Sequence, residues 1–179
     1  MSPAKSAFVI QYVIGFSPQT PAKMHIALVF LSSLVTAEES FIIEPEFKKV
    51  TYGSWIKLAH KDTGYRLHSH DIKYGTGSGQ QSVTGFEQGS DPNSYFQVMQ
   101  ALGAKPFVSG APVACGATIR LKHQYTHMML HSHYGVVSPI SSKQEVSANN
   151  SHDLNDNWII ECTGATWDRE SPVYFSKHP

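Results

Sequence analysis

One tetrapeptide occurs twice. Leu67-His68-Ser69-His70 returns unchanged as Leu130-His131-Ser132-His133, 63 positions later, and its surroundings return in the same register. Gly53 meets Gly116, Ile56-Lys57-Leu58 meets Ile119-Arg120-Leu121, His60 meets His123, Gln81-Ser82-Val83-Thr84 meets Gln144-Glu145-Val146-Ser147, and Tyr95 meets Trp158. A self-match of this length, with no gap needed, makes each copy one supersecondary unit that cannot bury its apolar face alone. The copies must share a core.

Strand signals dominate both copies, which run over 50–101 and 113–164. Ile56-Lys57-Leu58-Ala59-His60 alternates apolar and polar, as does Ile119-Arg120-Leu121-Lys122-His123. The turn Lys61-Asp62-Thr63-Gly64 joins the first of these to Tyr65-Arg66-Leu67-His68-Ser69-His70, which reads as a hairpin. A Gly-rich connection, Tyr74 to Gly79, leads to Gln81-Ser82-Val83-Thr84-Gly85, and Asp91-Pro92-Asn93 turns the chain into a fourth strand, Tyr95-Phe96-Gln97-Val98. No run of the mature chain has helical periodicity. Val173-Tyr174-Phe175 repeats the Ile119-Arg120-Leu121 pattern and opens a partial third copy over 170–179. Three such units about a pseudo-threefold axis form a β-trefoil, whose barrel is closed by two strands from each unit. The expectation is an all-β β-trefoil built from internal repeats, its third repeat truncated, with unpaired strand edges where the barrel fails to close.

Residues 1–37 read as a signal peptide. Lys23-Met24-His25 is a short positive lead-in, an apolar run opens at Ile26-Ala27-Leu28-Val29-Phe30-Leu31, and Val35-Thr36-Ala37 places compact residues before acidic Glu38-Glu39. Met24 is an alternative start. The earlier apolar run, Ala7 to Phe16, is then either an alternative signal or an upstream extension. The domain itself is 38–179, and no stretch after Ala37 is apolar for long enough to span a bilayer.

Charge excludes one class of partner. Fourteen basic residues balance fourteen acidic ones. They are interspersed, with no basic stripe of the kind nucleic acid requires.

The ten histidines invite a metal reading, because His68 and His70, like His131 and His133, stand at i and i+2 and face one side of a strand. No third ligand at useful spacing accompanies them, and equivalent slots of a repeat carry the same residue through packing symmetry alone. A structural or hydrogen-bonding role is preferred, with these four as weak metal candidates. The carboxylates form no acid/base pair with a nucleophile, and neither Cys has the flanking pattern of a thiol enzyme. Gly75-Thr76-Gly77-Ser78-Gly79 lacks the Lys-Ser/Thr and the helix of a phosphate cradle and reads as a strand connection. No cofactor is expected. Asn149-Asn150-Ser151 is an N-glycosylation sequon in a polar loop.

The stretch Leu67-His68-Ser69-His70-Asp71-Ile72-Lys73-Tyr74-Gly75 with Gly77-Ser78-Gly79-Gln80-Gln81-Ser82-Val83-Thr84-Gly85 resembles the stromal cell-derived factor 2 family of MIR-domain proteins. Pro139-Ile140-Ser141, Trp158 to Cys162 and Trp167-Asp168-Arg169-Glu170 extend the resemblance to the whole domain. It implies a non-catalytic β-trefoil of the endoplasmic reticulum lumen, working with a DnaJ-type co-chaperone and the lumenal heat-shock chaperone on misfolded clients. The alternative is a lectin-like module related to the MIR domains of O-mannosyltransferases, an analogy of fold alone. Arg66, His68, His70, Asp71, His131 and His133 are the candidate partner- or glycan-binding residues. The chain ends Ser176-Lys177-His178-Pro179, which is not a retrieval tetrapeptide, so the expected location is the secretory pathway, either the lumen or outside the cell. First and fourth strands of a trefoil unit pair in the barrel, which brings Cys115 and Cys162 close, and in that oxidising compartment a disulfide is preferred over two free thiols.

Overall fold

A computed structural model describes residues 8–14, 48–106 and 108–177. Its strands are β1 (Phe8–Ile14), β2 (Trp55–His60), β3 (Arg66–Lys73), β4 (Gln81–Phe86), β5 (Phe96–Gln100), β6 (Thr118–His123), β7 (Met129–His131), β8 (Ser147–Asn149), β9 (Trp158–Glu161) and β10 (Tyr174–Ser176). The helical elements among the described residues are two 3-10 turns, Pro92–Ser94 and Leu154–Asp156, each capped by the aspartate before it, Asp91 and Asp153.

Six strands form a closed ring. β1 pairs with β2, β2 with β5, β5 with β6, β6 with β9 and β9 with β10, all antiparallel. The bridge Phe8↔Val173 returns from the start of β10 to β1. The other four strands cap the barrel as two hairpins, β3–β4 and β7–β8, joined through β4 and β8. In β6 the period of two is plain: Ile119, Leu121 and His123 are buried. Ile119 and Leu121 build the core with Ile56, Leu58, Phe96, Val98, Ile160 and Trp167. Each such aliphatic chain contributes roughly 1.5–3 kcal/mol relative to exposure.

At one end of the barrel three residues close a backbone triangle. Val113 N–H donates to Val50 O at 2.9 Å, Trp167 N–H to Val113 O at 2.8 Å, and Val50 N–H to Trp167 O at 2.9 Å. Val50 and Val113 precede the first strands of the two copies, Trp167 precedes β10, and all three are fully buried.

Three expectations change. The barrel has no open edge at β2, because β1 covers it; most of the proposed targeting segment 1–37 lies outside the described residues, but its Phe8–Ile14 part is a strand. The fourth strands align with a gap, since Ile56 pairs with Phe96 whereas Ile119 pairs with Trp158. Phe96, not Tyr95, is therefore the counterpart of Trp158. Lys57 does not reach solvent as its alternation suggests: its ammonium donates to Gly89 O at 2.6 Å and Asp91 O at 2.7 Å and lies 4.3 Å from the Tyr95 ring centre.

Cys115 and Cys162 form a disulfide across 5.3 Å between Cα atoms, spanning 47 residues between the approach to β6 and the end of β9. Closing a loop of that length stabilises the fold by ~3–4 kcal/mol in the chain-entropy account.

Candidate functional site

The doubled motif is first of all a brace. Ser69 Oγ donates to Ser82 O at 2.8 Å and accepts from Gln81 Nε2 at 2.7 Å. Ser132 Oγ donates to Glu145 O and accepts from Gln144 Nε2, both at 2.7 Å. His60 Nδ1 and His123 Nδ1 each meet the hydroxyl of the turn threonine, Thr63 or Thr126, at 2.9 Å. The same hydrogen bonds recur at the 63-residue offset, so these side chains brace each unit from within.

The first histidine of each motif faces an aspartate from the turn before the fourth strand. His68 Nδ1 lies 2.5 Å from Asp91 Oδ2, its Nε2 lies 2.8 Å from His70 Nδ1, and its ring stacks on Phe86 at 4.7 Å. Burial holds His68 below the ordinary imidazole pKa and outweighs the pull of Asp91. Burial also opposes ionisation of Asp91, but the Asn93 N–H and His68 together hold its carboxyl below the usual range. His131 is buried and Nδ1 lies 2.9 Å from Asp156 Oδ1, with Asp153 Oδ1 at 3.9 Å. His133 is exposed beyond the end of β7.

Among the described residues, His131, Asp153 and Asp156 are the group whose potential ligand atoms all lie within 4.8 Å. The four motif histidines are not that group. Metal coordination through His131 Nδ1 would require it to give up its hydrogen bond to Asp156, so the arrangement reads as a buried hydrogen-bonded brace. Sequence spacing missed Asp91, Asp153 and Asp156 as histidine partners; the Asp-x-Asn of Asp91-Pro92-Asn93 and Asp153-Leu154-Asn155 was the available signal for the first two.

Lys177 links this brace to the surface. Its ammonium lies 3.9 Å from the Trp158 ring centre and donates to Asn157 O at 3.0 Å and to Asn155 O. Burial pushes its pKa down to about 8 against the attraction of Asp156 and Asp153. A cleft of about 690 Å³ opens here, lined by Ser132, Tyr134, Gln144, Leu154, Asn155, Asn157 and Lys177. Tyr134 and Leu154 at its rim are 88% and 72% exposed.

Arg66, His70 and Asp71 are not in this cleft. Arg66 donates to Glu87 O and lines a separate cleft of about 350 Å³ with Phe8, Tyr65 and Gly85. Asp71 is exposed on β3. Asn149 ends β8 rather than lying in a loop, and its Nδ2 donates to Ser151 Oγ at 3.1 Å. Glu145, fully desolvated, accepts from Ser78 N–H at 3.3 Å and from Ser78 Oγ, so a carboxylate holds the glycine-rich connection where a phosphate would need free N–H groups. No described helix is long and apolar enough to cross a membrane.

A closed all-β barrel capped by hairpins and braced by buried polar pairs places the chain among MIR-like barrel proteins. No protein-family profile matches it. It is 45% identical over 152 residues to a Dictyostelium discoideum stromal cell-derived factor 2-like protein, covering 81% of this chain and 70% of that one. It is 48% identical over 130 residues to mouse stromal cell-derived factor 2-like protein 1, covering 70% of this chain and 58% of the relative. The crystal structure of the SDF2-like protein from Arabidopsis thaliana matches with TM-score 0.66 at 48% identity, over 72% of each chain. The S. cerevisiae protein O-mannosyltransferase Pmt1-Pmt2 complex bound to the sugar donor matches with TM-score 0.62 at 27% identity, over 71% of this chain and 19% of that one. The chain belongs to the stromal cell-derived factor 2 family. It spans 58% of the length of the first curated relative it matches.

Proposed function

We propose that this protein is a non-catalytic adaptor of the secretory pathway, a β-trefoil that binds a lumenal DnaJ-type co-chaperone and, through it, the heat-shock chaperone and misfolded clients. The trefoil reading is supported by the Val50–Val113–Trp167 triangle, which relates three unit starts by one repeated hydrogen bond. In it, β10 is the first strand of a third unit: Phe175↔Ile160 repeats Leu121↔Val98. The endoplasmic reticulum lumen, or export from it, is the location this role requires, and the disulfide fits that oxidising compartment.

The observation that carries the adaptor reading is the rim of the Lys177 cleft. Tyr134 and Leu154 stand far out of the surface beside polar Gln144, Asn155 and Asn157. Exposed apolar anchors with a polar surround suit a protein partner. The test is binding of the full chain to a purified lumenal DnaJ-type co-chaperone. A Tyr134→Ser/Leu154→Ser variant with unchanged melting loses about tenfold or more in affinity, the effect of ~1.4 kcal/mol or more. Unchanged affinity moves the interface elsewhere, and no binding by the parent chain overturns the adaptor role.

A second reading is carried by the same rim. An aromatic ring beside carboxamides suits a sugar, and the likeness to the O-mannosyltransferase complex supports a glycan ligand. Saturable binding to one class on a glycan array, lost on Tyr134→Ser, favours it.

A further inference from the structure

Over Phe8–Ile10, ahead of a bulge between Ile10 and Tyr12, β1 sits on β2 in the register with which β5 sits on β6. In the β5–β6 pair, Phe96 faces His123 and Val98 faces Leu121. In the β1–β2 pair, Phe8 faces His60 and Ile10 faces Leu58. His60 and His123, and Leu58 and Leu121, are counterparts at the 63-residue offset. The aromatic contact repeats as well: Phe8 meets the His60 ring at 5.8 Å and Phe96 meets the His123 ring at 5.2 Å.

The opposite edge agrees independently. Ile56 pairs with Phe96 and Ile119 with Trp158. Val173 holds the corresponding place before β10, because Phe175 repeats Leu121. Val173 and Phe8 exchange both backbone hydrogen bonds at 2.8 Å. Phe8 thus stands where Phe96 and Trp158 stand in the first two units, and Phe8-Val9-Ile10 matches Phe96-Gln97-Val98 and Trp158-Ile159-Ile160. A slip of one residue would reverse the faces, so agreement on both edges selects one register for Phe8–Ile10, ahead of the bulge.

We propose that residues 8–14 are the closing strand of the third unit, supplied from the N-terminal side of the sequence. The slot between β2 and Val173 accepts an extended segment with an aromatic residue followed two positions later by an aliphatic one. The proposal rests on the three-unit reading above and is independent of which partner the protein binds. In this fold Phe8–Ile14 is what covers the β2 edge, the kind of edge that otherwise invites strand addition.

Cysteine trapping in the full chain tests this. Val9 is the register partner of Ala59. Val9→Cys with Ala59→Cys cross-links in most molecules under mild oxidation, read by mass spectrometry of unreduced tryptic peptides, and Val9→Cys with Lys61→Cys does so several-fold less. Equal yields overturn the proposal. In a second measurement on the full chain, Ile10→Pro speeds deuterium uptake of the 55–60 peptide at least severalfold and leaves the 118–123 peptide unchanged. Unchanged uptake at 55–60 overturns the proposal. If trapping fails while the amides of Val50, Val113 and Trp167 stay protected, β1 is not the closing strand but the three-unit reading stands. If that protection is also absent, both fall.

Discussion

Val113 donates its backbone N–H to the carbonyl of Val50 at 2.9 Å, and both residues are wholly buried. The bond joins the starts of two sequence units, and Trp167 completes the triangle with the same donor and acceptor roles. A buried N–H without a partner is costly, so the three segments depend on one another. Units joined this way do not fold separately. That dependence explains why polar side chains at the unit boundaries, such as Glu145 on Ser78 and Gln81 on Thr126, are buried rather than solvated.

Stability falls as the solution is acidified from neutrality. Burial lowers the pKa of both His68 and His123 from the ordinary 6.5. Between the lowered folded values and 6.5 the unfolded chain binds more protons, so their contribution is fully present above 6.5 and is lost as pH falls through that window. Urea unfolding at pH 7 and pH 5 measures the drop. His123→Gln reduces it, and a profile that is flat in the parent chain contradicts the burial of neutral imidazoles.

Lys177 acts at the other end of the scale. Its pKa falls from 10.5 to about 8, so between those values the unfolded chain again binds more protons and this group makes stability rise with pH. Lys177→Met removes that rise and leaves the acid limb unchanged. The comparison is of the two proteins' unfolding free energies from pH 7 to 10.5.

Gly77 has φ +73°, and a Cβ there would lie 2.3 Å from Glu145 Oε2. Gly64 has φ +72° with open space around it. Gly64→Ala therefore pays the backbone strain alone, about 1 kcal/mol, and Gly77→Ala costs about 1–3 kcal/mol because the carboxylate must also move. Equal melting of the two variants would show that Glu145 does not hold the loop.

Asp156 is wholly buried against His131, whereas the Asp153 side chain is 44% exposed and 3.9 Å from it. Asp156→Ala leaves a buried imidazole without its acceptor and destabilises by about 2–3 kcal/mol. Asp153→Ala loses its turn cap and a screened pair, about 1 kcal/mol. Denaturant midpoints at pH 7 rank them, and the reverse order would place the brace on Asp153.

Much of the fold is legible in the residues. The doubled Leu-His-Ser-His, the turn threonines and the alternation of Ile119 and Leu121 specify paired strands and a shared core, because each is a local pattern with a fixed period. The pairing of Cys115 with Cys162 follows from their places beside strands that meet. The Phe96–Trp158 equivalence is not legible, since one deleted residue before the fourth strand leaves an aromatic at either offset. Asp156 is hidden for another reason: its counterpart is Ser94, so repetition gives it no emphasis. The strand Phe8–Ile14 is not legible as a strand, because its apolar run is also what a targeting segment carries.

Amide hydrogen exchange of Val50, Val113 and Trp167 in the full chain tests the shared core most directly. The account predicts that all three exchange at one slow rate, that of global unfolding, because no unit start opens without the others. If Trp167 exchanges orders of magnitude faster than Val50 and Val113, the third unit start is not bound into the triangle and the closed three-unit barrel is wrong.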